Sequence, residues 1–311
     1  MKTFILDVDT GVDDAFAIMF AARHPEINLI GITCVDGNTN LKQVVINTLK
    51  VLDAADGKNI PVSAGATRPL IEEPKYAEHV HGKDGLADLG TPNSKREVDP
   101  RNAVELLRDL VESSEDPVTL IPLAPLTNIA LFVRTYPETA KKLEKIVLMG
   151  GSASGGNATA SAEFNIWHDP ESAAIVFNSG IPITMYGLDV FNDLKMNQDK
   201  ANQLLNSGSD CGVFAGKLID HFIQRLHRDV TLGDYGAVAV ALYPNLATVE
   251  KYKVVVDTTY GPGRGQTVCD KRPYASLELA GWHKDAPEVE VVLKIEVDEI
   301  RNLWMKTIIG N

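Results

Sequence analysis

The chain has 311 residues, 44% apolar and 23% charged, which are the proportions of an ordinary globular protein. Its formal net charge of −12, with no basic stretch interleaved with aromatics to offset it, argues against nucleic acid or an anionic membrane surface as the main partner. Cys34, Cys211 and Cys269 are too few and too scattered for a disulfide framework or a zinc site, and no apolar run suits a signal peptide or a membrane span, so a cytoplasmic protein is expected.

In chain order, TFILDVD (3–9) reads as a buried strand ending in acids, and DDAFAIMFAARHPEI (13–27) follows with helical spacing of apolar residues. Pro25 lies just past the predicted helix end. Next come NLIGITCV (strand), LKQVVINTLKVLDAA (helix) and IPVSAG (strand). AVELLRDLVES (helix) leads to PVTLIPLA (strand), and KIVLMGG (strand) precedes ESAAIVFNSG (helix) and IPITMYG (strand). The C-terminal part adds the helix CGVFAGKLIDHFIQRLH, the strands YKVVVDT and VEVVLKIEV, and a last helix. Strands alternating with helices predict an α/β protein with an open, doubly wound, mostly parallel (mixed) sheet and helices on both faces. GGSASGGNATA (150–160) is the nearest thing to a linker, but strand signals flank it. It is read as a long active-site loop within one domain spanning 1–311.

The most unusual stretch is LDVDTGVDDA (6–15), where Asp7, Asp9, Asp13 and Asp14 crowd together. Asp13 and Asp14 alone suit a first helical turn, where the helix dipole favours acids by about 0.3–1 kcal/mol each. That leaves Asp7 and Asp9 unexplained in an apolar strand. Close carboxylates raise one another's pKa unless a cation or hydrogen bonds offset the repulsion. With no thiol or imidazole adjacent, such a cluster matches a hard cation, Ca²⁺ or Mg²⁺. The spacing is not that of an EF-hand, so distant residues must complete any site. Asn157, Glu163, Asn165 and Asp169 form a second polar cluster after KIVLMGG, a mixture of donors and acceptors suited to sugar hydroxyls. Asn38 in VDGNTN and His79 and His81 in HVHGKDG follow other strand signals. Open α/β sheets bind ligands beyond the carboxyl ends of their strands, so these segments describe one acidic, amide-rich crevice.

The combination resembles the nucleoside hydrolases, the inosine–uridine-preferring nucleoside N-ribohydrolases. Their signature D-x-D-x-G-x-D-D-A stands here as DVDTGVDDA, and the likeness continues in order through VDGN, HVHGKDGL, PLTNIA, IVLMGG, GNATASAEFNIWHDPE, YGLDV, GDYGAVAVAL and GRGQTVCD. It implies the Rossmann-like nucleoside hydrolase fold and Ca²⁺-dependent hydrolysis of ribonucleosides to base and ribose in nucleoside salvage, by a homodimer or homotetramer. Carried over by position, the resemblance makes Asp9, Asp14, Asp234 and the main-chain carbonyl of Leu123 the calcium ligands, with Asp9 also the catalytic base. The family usually has Thr at the Leu123 position. Asp13, Asn38 and Asn165 are implied to bind ribose hydroxyls, Asn157 and Glu163 the 5′ end, and His81 to lie near the base, while Asp7 supports the metal loop. On this reading, replacing Asn165 by Ala weakens ribose binding with little change in stability.

The likeness departs at Gly233, where one subgroup has a histidine that protonates the leaving base. His81, His168, His227 and Tyr235 are alternative acids, and Trp167 an alternative stacking group, although His221 and His227 also read as the surface of an amphipathic helix and Trp167 as core. Two rival functions stand beside the main one. A calcium-dependent nucleoside or ribose binder without turnover is the reading that Gly233 keeps open. A haloacid dehalogenase-type phosphatase also places D-x-D after its first strand, but Gly11 stands where that family has threonine or valine.

Overall fold

The computed structural model describes residues 1–273 and 285–310. Its strands, in chain order, are β1 (Lys2–Val8), β2 (Ile27–Cys34), β3 (Val62–Ala64), β4 (Val118–Pro122), β5 (Lys145–Met149), β6 (Ile183–Tyr186), β7 (Lys195–Met196), β8 (Val230–Thr231), β9 (Ala247–Val256), β10 (Thr267–Cys269) and β11 (Glu288–Ile295). Nine of them form one sheet in the order β10-β9-β11-β6-β5-β4-β1-β2-β3, while β7 and β8 make a separate antiparallel ribbon. From β3 to β11 every pairing is parallel, and β9 and β10 then add antiparallel at one edge. The doubly wound, mostly parallel mixed sheet expected from the alternation is therefore the observed architecture.

β1 lies inside the sheet between β2 and β4, and every residue from Thr3 to Val8 is buried. Its side chains alternate between faces, as a strand's must. Phe4, Leu6 and Val8 join the apolar layer that contains Phe16, Phe20 and Trp304. Ile5 joins the opposite layer with Leu107, Leu120, Phe132 and Ile146. Asp7 shares the face of Ile5, and there it meets the helix Thr127–Thr135: Asn128 Nδ2 donates to Asp7 Oδ1 at 2.8 Å, and Thr33 Oγ1 donates to the same oxygen at 2.5 Å. Strand parity thus sends Asp7 into the sheet's structural layer, while Asp9 emerges beyond the strand end.

The helix Val12–Arg23 starts three residues after Asp9, with Asp13 and Asp14 in its first turn. The C-terminal helix Val297–Ile309 braces it through Trp304, which is fully buried, packs edge-on against Phe16 (centroids 5.5 Å apart) and donates from Nε1 to the Phe16 carbonyl at 3.1 Å. Helices that the sequence pattern missed lie at Thr127–Thr135 and Tyr235–Leu242. YGAVAVAL is buried along its whole length, so it carries no polar face and no 3.6-residue periodicity to betray it. Residues 150–163 form a loop after β5, as expected.

Because Trp304 fixes the helix that presents Asp13 and Asp14, Trp304→Ala should lower the unfolding free energy by about 3–5 kcal/mol in urea titrations, the cost of deleting a large buried aromatic; a loss under about 1 kcal/mol would show that this packing does not anchor the helix.

Candidate active site

The carboxyl ends of the parallel strands open into a cavity of about 840 Å³. Asp13, Asn38, His81, Leu123, Asn157, Glu163, Asn165 and Asp234 line it, and Tyr76, Phe164, Trp167, Phe191 and Phe222 supply its aromatic walls. Residues separated by more than 200 positions are brought together because β1, β2, β4 and β5 all end at this level. Carboxylates, amides and rings share its lining with Lys75, Lys195 and Arg228.

The loop after β1 is held by hydrogen bonds that aim its carboxylates. Asp14 Oδ2 accepts the Gly11 amide at 2.9 Å and Asn38 Nδ2 at 3.3 Å, and its Oδ1 accepts the Asp9 amide at 3.2 Å. Asp9 Oδ2 accepts the Asn38 amide at 2.7 Å. The packing leaves no room for side chains at two glycines: a Cβ at Gly37 would sit 2.1 Å from Asp9 Oδ2, and one at Gly11 would sit 2.6 Å from His81 Nδ1. Asp9 Oδ1 and Asp13 Oδ1 remain buried with no hydrogen-bond partner. Single carboxylate oxygens of Asp13, Asp14 and Asp234 lie within 4.8 Å of one another.

Burial and mutual repulsion drive Asp9, Asp14 and Asp234 toward protonation. Burial, then the neighbouring Asp14 charge, raises Asp9 well above the usual carboxylate range, and burial with Asp13 pushes Asp14 up to about 8. Asp234 is raised well above that range by burial and by Asp13, Asp14 and Asp9. These are all-oxygen donors, two of whose buried oxygens have no hydrogen-bond donor among the described residues, with His81 Nδ1 3.7 Å from Asp13 Oδ1 beside them. His81 adds no nitrogen ligand, since its Nδ1 accepts the Val12 amide at 3.2 Å. The donor set therefore fits a hard divalent cation, whose binding would displace the protons.

The structure places most of the sequence-predicted residues on the lining of this one cavity, from which Asp7, Asp9 and Asp14 are absent, and several details differ. The tightest carboxylate cluster contains Asp13, expected on the ribose side, rather than Asp9. Glu163 lines the cavity, but it is also the cap of the helix Phe164–His168: its two oxygens accept the Gly151, Asn165 and Ile166 amides at 2.9–3.1 Å, and burial pushes it up to about 7. Asp169, grouped by sequence with the sugar-binding acceptors, is wholly structural. It takes hydrogen bonds from Thr127 Oγ1, Ser172 Oγ, Ser172 N and Leu70 N. Asp7 lies behind the site, pushed up to about 7 by burial. Asn157 is exposed at the rim, where its Oδ1 accepts the Phe164 amide at 2.9 Å.

At the aromatic end, Gly233 has φ +37°, and a Cβ there would meet Phe191 ring carbons at 2.3 Å. The Phe191 ring fills the space of the missing side chain. Among the alternative acids, Tyr235 is buried and donates to the Ile300 carbonyl, His227 caps a helix at the surface in a left-handed conformation, and His168 is buried behind the cavity wall. His81 and Trp167 do line the cavity. Burial lowers the His81 pKa, and because Nδ1 accepts a backbone amide, the neutral ring carries its proton on Nε2. Trp167 is a cavity wall rather than core. Sequence inspection missed Tyr76, Phe191 and Phe222, whose rings give no signal distinct from core aromatics.

The family model for inosine-uridine preferring nucleoside hydrolases matches residues 4–302. The chain is 39% identical over 277 residues to the pyrimidine-specific ribonucleoside hydrolase RihA of Shewanella sp. (strain MR-4), covering 87% of each protein. It is 36% identical over 275 residues to the pyrimidine-specific ribonucleoside hydrolase RihB of Escherichia coli (strain SE11), covering 87% of this chain and 88% of that protein. Among solved structures, it is similar to the purine-preferring ribonucleoside hydrolase from Gardnerella vaginalis, with a TM-score of 0.90, 33% identity and coverage of 99% and 98% of the two chains. It is also similar to the plant nucleoside hydrolase PpNRh1, with a TM-score of 0.92, 29% identity and coverage of 100% and 99%.

Asn165 Nδ2 donates to the Leu123 carbonyl at 2.9 Å and to the Met149 carbonyl at 3.2 Å, so the expectation that its removal spares stability is corrected by the geometry. Asn165→Ala should destabilise the protein by about 1–3 kcal/mol, since two buried acceptors lose their donor; an unchanged urea midpoint would mean that water replaces the amide there.

Proposed function

The chain belongs to the inosine-uridine preferring nucleoside hydrolase family and is a hydrolase of the N-glycosidic bond of ribonucleosides, and from that premise we propose a Ca²⁺-dependent reaction releasing free base and ribose, used in nucleoside salvage. The observation that carries the cation is the set of buried, unpartnered carboxylate oxygens at the end of β1. Asp9, Asp14, Asp234 and the Leu123 carbonyl are the proposed ligands, and Asp13 lies close enough to share the ion or to bind a ribose hydroxyl beside it. When bound, Ca²⁺ supplies a positive centre that makes the attacking water more acidic and orients ribose hydroxyls.

The chain's own residues then divide the remaining work. Asp9 Oδ1, buried and without a donor, is the acceptor for the water's proton. Asp13, Asn38 and Asn165 meet ribose hydroxyls as a mixture of donors and acceptors. Asn157 and Glu163 border the 5′ end. As the glycosidic bond breaks, positive charge grows on C1′ and O4′ of the ribosyl group, and the fixed negative charge of this wall favours that state over the neutral substrate. A flat base belongs among Tyr76, Trp167, Phe191 and Phe222, where ring faces replace water. His81, neutral with its proton on Nε2, is the proposed donor to the departing base, the place of an acid at position 233 being closed by Phe191.

The similar proteins include a pyrimidine-specific and a purine-preferring hydrolase, so base preference is tested with a panel. Purified protein with inosine, uridine, cytidine, adenosine and guanosine should release reducing sugar from at least one, lose that activity in EGTA and regain it with Ca²⁺. Activity that survives EGTA would remove calcium from the mechanism. Intact, saturable nucleoside binding with no release across the panel would favour the non-catalytic binder.

Asp9→Ala should lower kcat by at least about 10³-fold, since both a ligand and the proton acceptor are lost; near-normal turnover would exclude Asp9 as the base.

A further inference from the structure

Outside the acid cluster, a second buried carboxylate remains without a role. Asp36 follows β2 on the loop that carries Asn38, and its side chain is 1% exposed. Its two oxygens have different surroundings. Oδ1 accepts the Tyr76 phenol at 3.2 Å. Oδ2 has no hydrogen-bond partner and lies 3.5 Å from His168 Nε2, and neither ring nitrogen of the equally buried His168 has a partner. Buried polar atoms are seldom left unpaired, and an orphan carboxylate oxygen facing an orphan imidazole is satisfied on both sides when Nε2 carries a proton toward Oδ2.

Asp36 thereby touches three separate segments of the cavity wall. Its own loop bears Asn38. His168 ends the short helix Phe164–His168, which bears Asn165. Tyr76 opens the segment that runs to His81, and that segment is tied back to the same loop by the Ala77 amide, which donates to the Asn38 carbonyl at 3.0 Å. The amides of Val80 and His81 in turn donate to the Ala77 carbonyl at 2.8 and 3.0 Å. From the far side Arg225 donates to the His79 and Val80 carbonyls. Tyr76 itself is 40% exposed and lines the cavity, so packing alone does not hold its ring.

We propose that Asp36 is a positioning residue for ribonucleoside hydrolysis. Braced from behind by His168, its carboxylate fixes the Tyr76 phenol and, through it, the 76–81 wall against the ribose-binding loop. In naming the substrate the proposal rests on the function proposed above; in its mechanics it does not.

The test uses the full chain. Tyr76→Phe removes one hydroxyl from a partly exposed ring and should leave the urea midpoint unchanged. It should raise KM for the best nucleoside by about tenfold with kcat changed less than about threefold. Asp36→Ala should raise KM similarly, and the double variant should be no worse than Asp36→Ala alone, because both changes break one interaction. Asp36→Asn keeps an acceptor for the phenol and should restore KM to within about twofold of the unsubstituted protein; with Tyr76→Phe it carries the test even if Asp36→Ala does not fold. Independently of turnover, amide hydrogen exchange at Val80 and His81 should quicken about tenfold in Tyr76→Phe. Additive KM effects, or unchanged exchange at those amides, would overturn the proposal. If the unsubstituted protein released ribose from no nucleoside, the functional reading would fall, and the exchange measurement would still decide the role of Asp36.

Discussion

Asp9, Asp13, Asp14 and Asp234 bring four carboxyl groups into one pocket largely withdrawn from water, where each added negative charge raises the cost of the next. A fold maintains such an arrangement only if something opposes the repulsion. Backbone amides oppose part of it: Gly11 and Asp9 donate to Asp14, and Asn38 donates to Asp9. Buried Asp9 Oδ1 and Asp13 Oδ1 still have no donor among the described residues, and burial pushes Asp9, Asp14 and Asp234 toward protonation. The remaining imbalance is what the proposed cation relieves. The architecture around β1 follows from the need to hold these charges still: a strand buried on both faces, a helix pinned by Trp304, and glycines at 11 and 37, where a side chain would strike His81 and Asn38 or Asp9.

The opposite wall of the cavity obeys a different constraint. It is built of rings, with Phe191 pressed onto the Gly233 backbone so that no side chain fits at that position. The polar wall and the aromatic wall together match the two halves of a nucleoside, a hydroxyl-bearing sugar and a flat heterocycle. The purine-preferring ribonucleoside hydrolase from Gardnerella vaginalis shares this fold. Between the walls, the 76–81 segment and the helix Phe164–His168 are linked through Asp36, whose orphan oxygen faces an orphan imidazole. Two groups of buried polar residues thus stand out, one crowded at the end of β1 and one bracing the walls. Asp7, hydrogen-bonded to Thr33 and Asn128 on the far face of β1, belongs with the bracing groups.

The sequence by itself determined the alternation of strands and helices, and with it the mostly parallel sheet, because strand and helix periodicities are written locally. It also located the polar segments of the site, since ligands gather beyond strand ends and each strand end could be read from its apolar run. It did not reveal the helix Tyr235–Leu242, which is apolar all round and so has no period to detect. Only the tertiary structure decided which acids face the cavity. Asp7 and Asp9 are two residues apart, yet one is drawn into the layer beside Asn128 while the other leaves the strand, and Asp169 turns out to cap a helix rather than meet a ligand. Likewise Tyr235, His227 and His168 are set aside by where their side chains lie, and Phe191 is brought against Gly233 from 42 positions away. Local pattern fixes which residues are polar and which element carries them. Whether a given carboxylate meets a cavity, a capped helix or another charge depends on long-range packing, and that information is not contained in any single stretch of the chain.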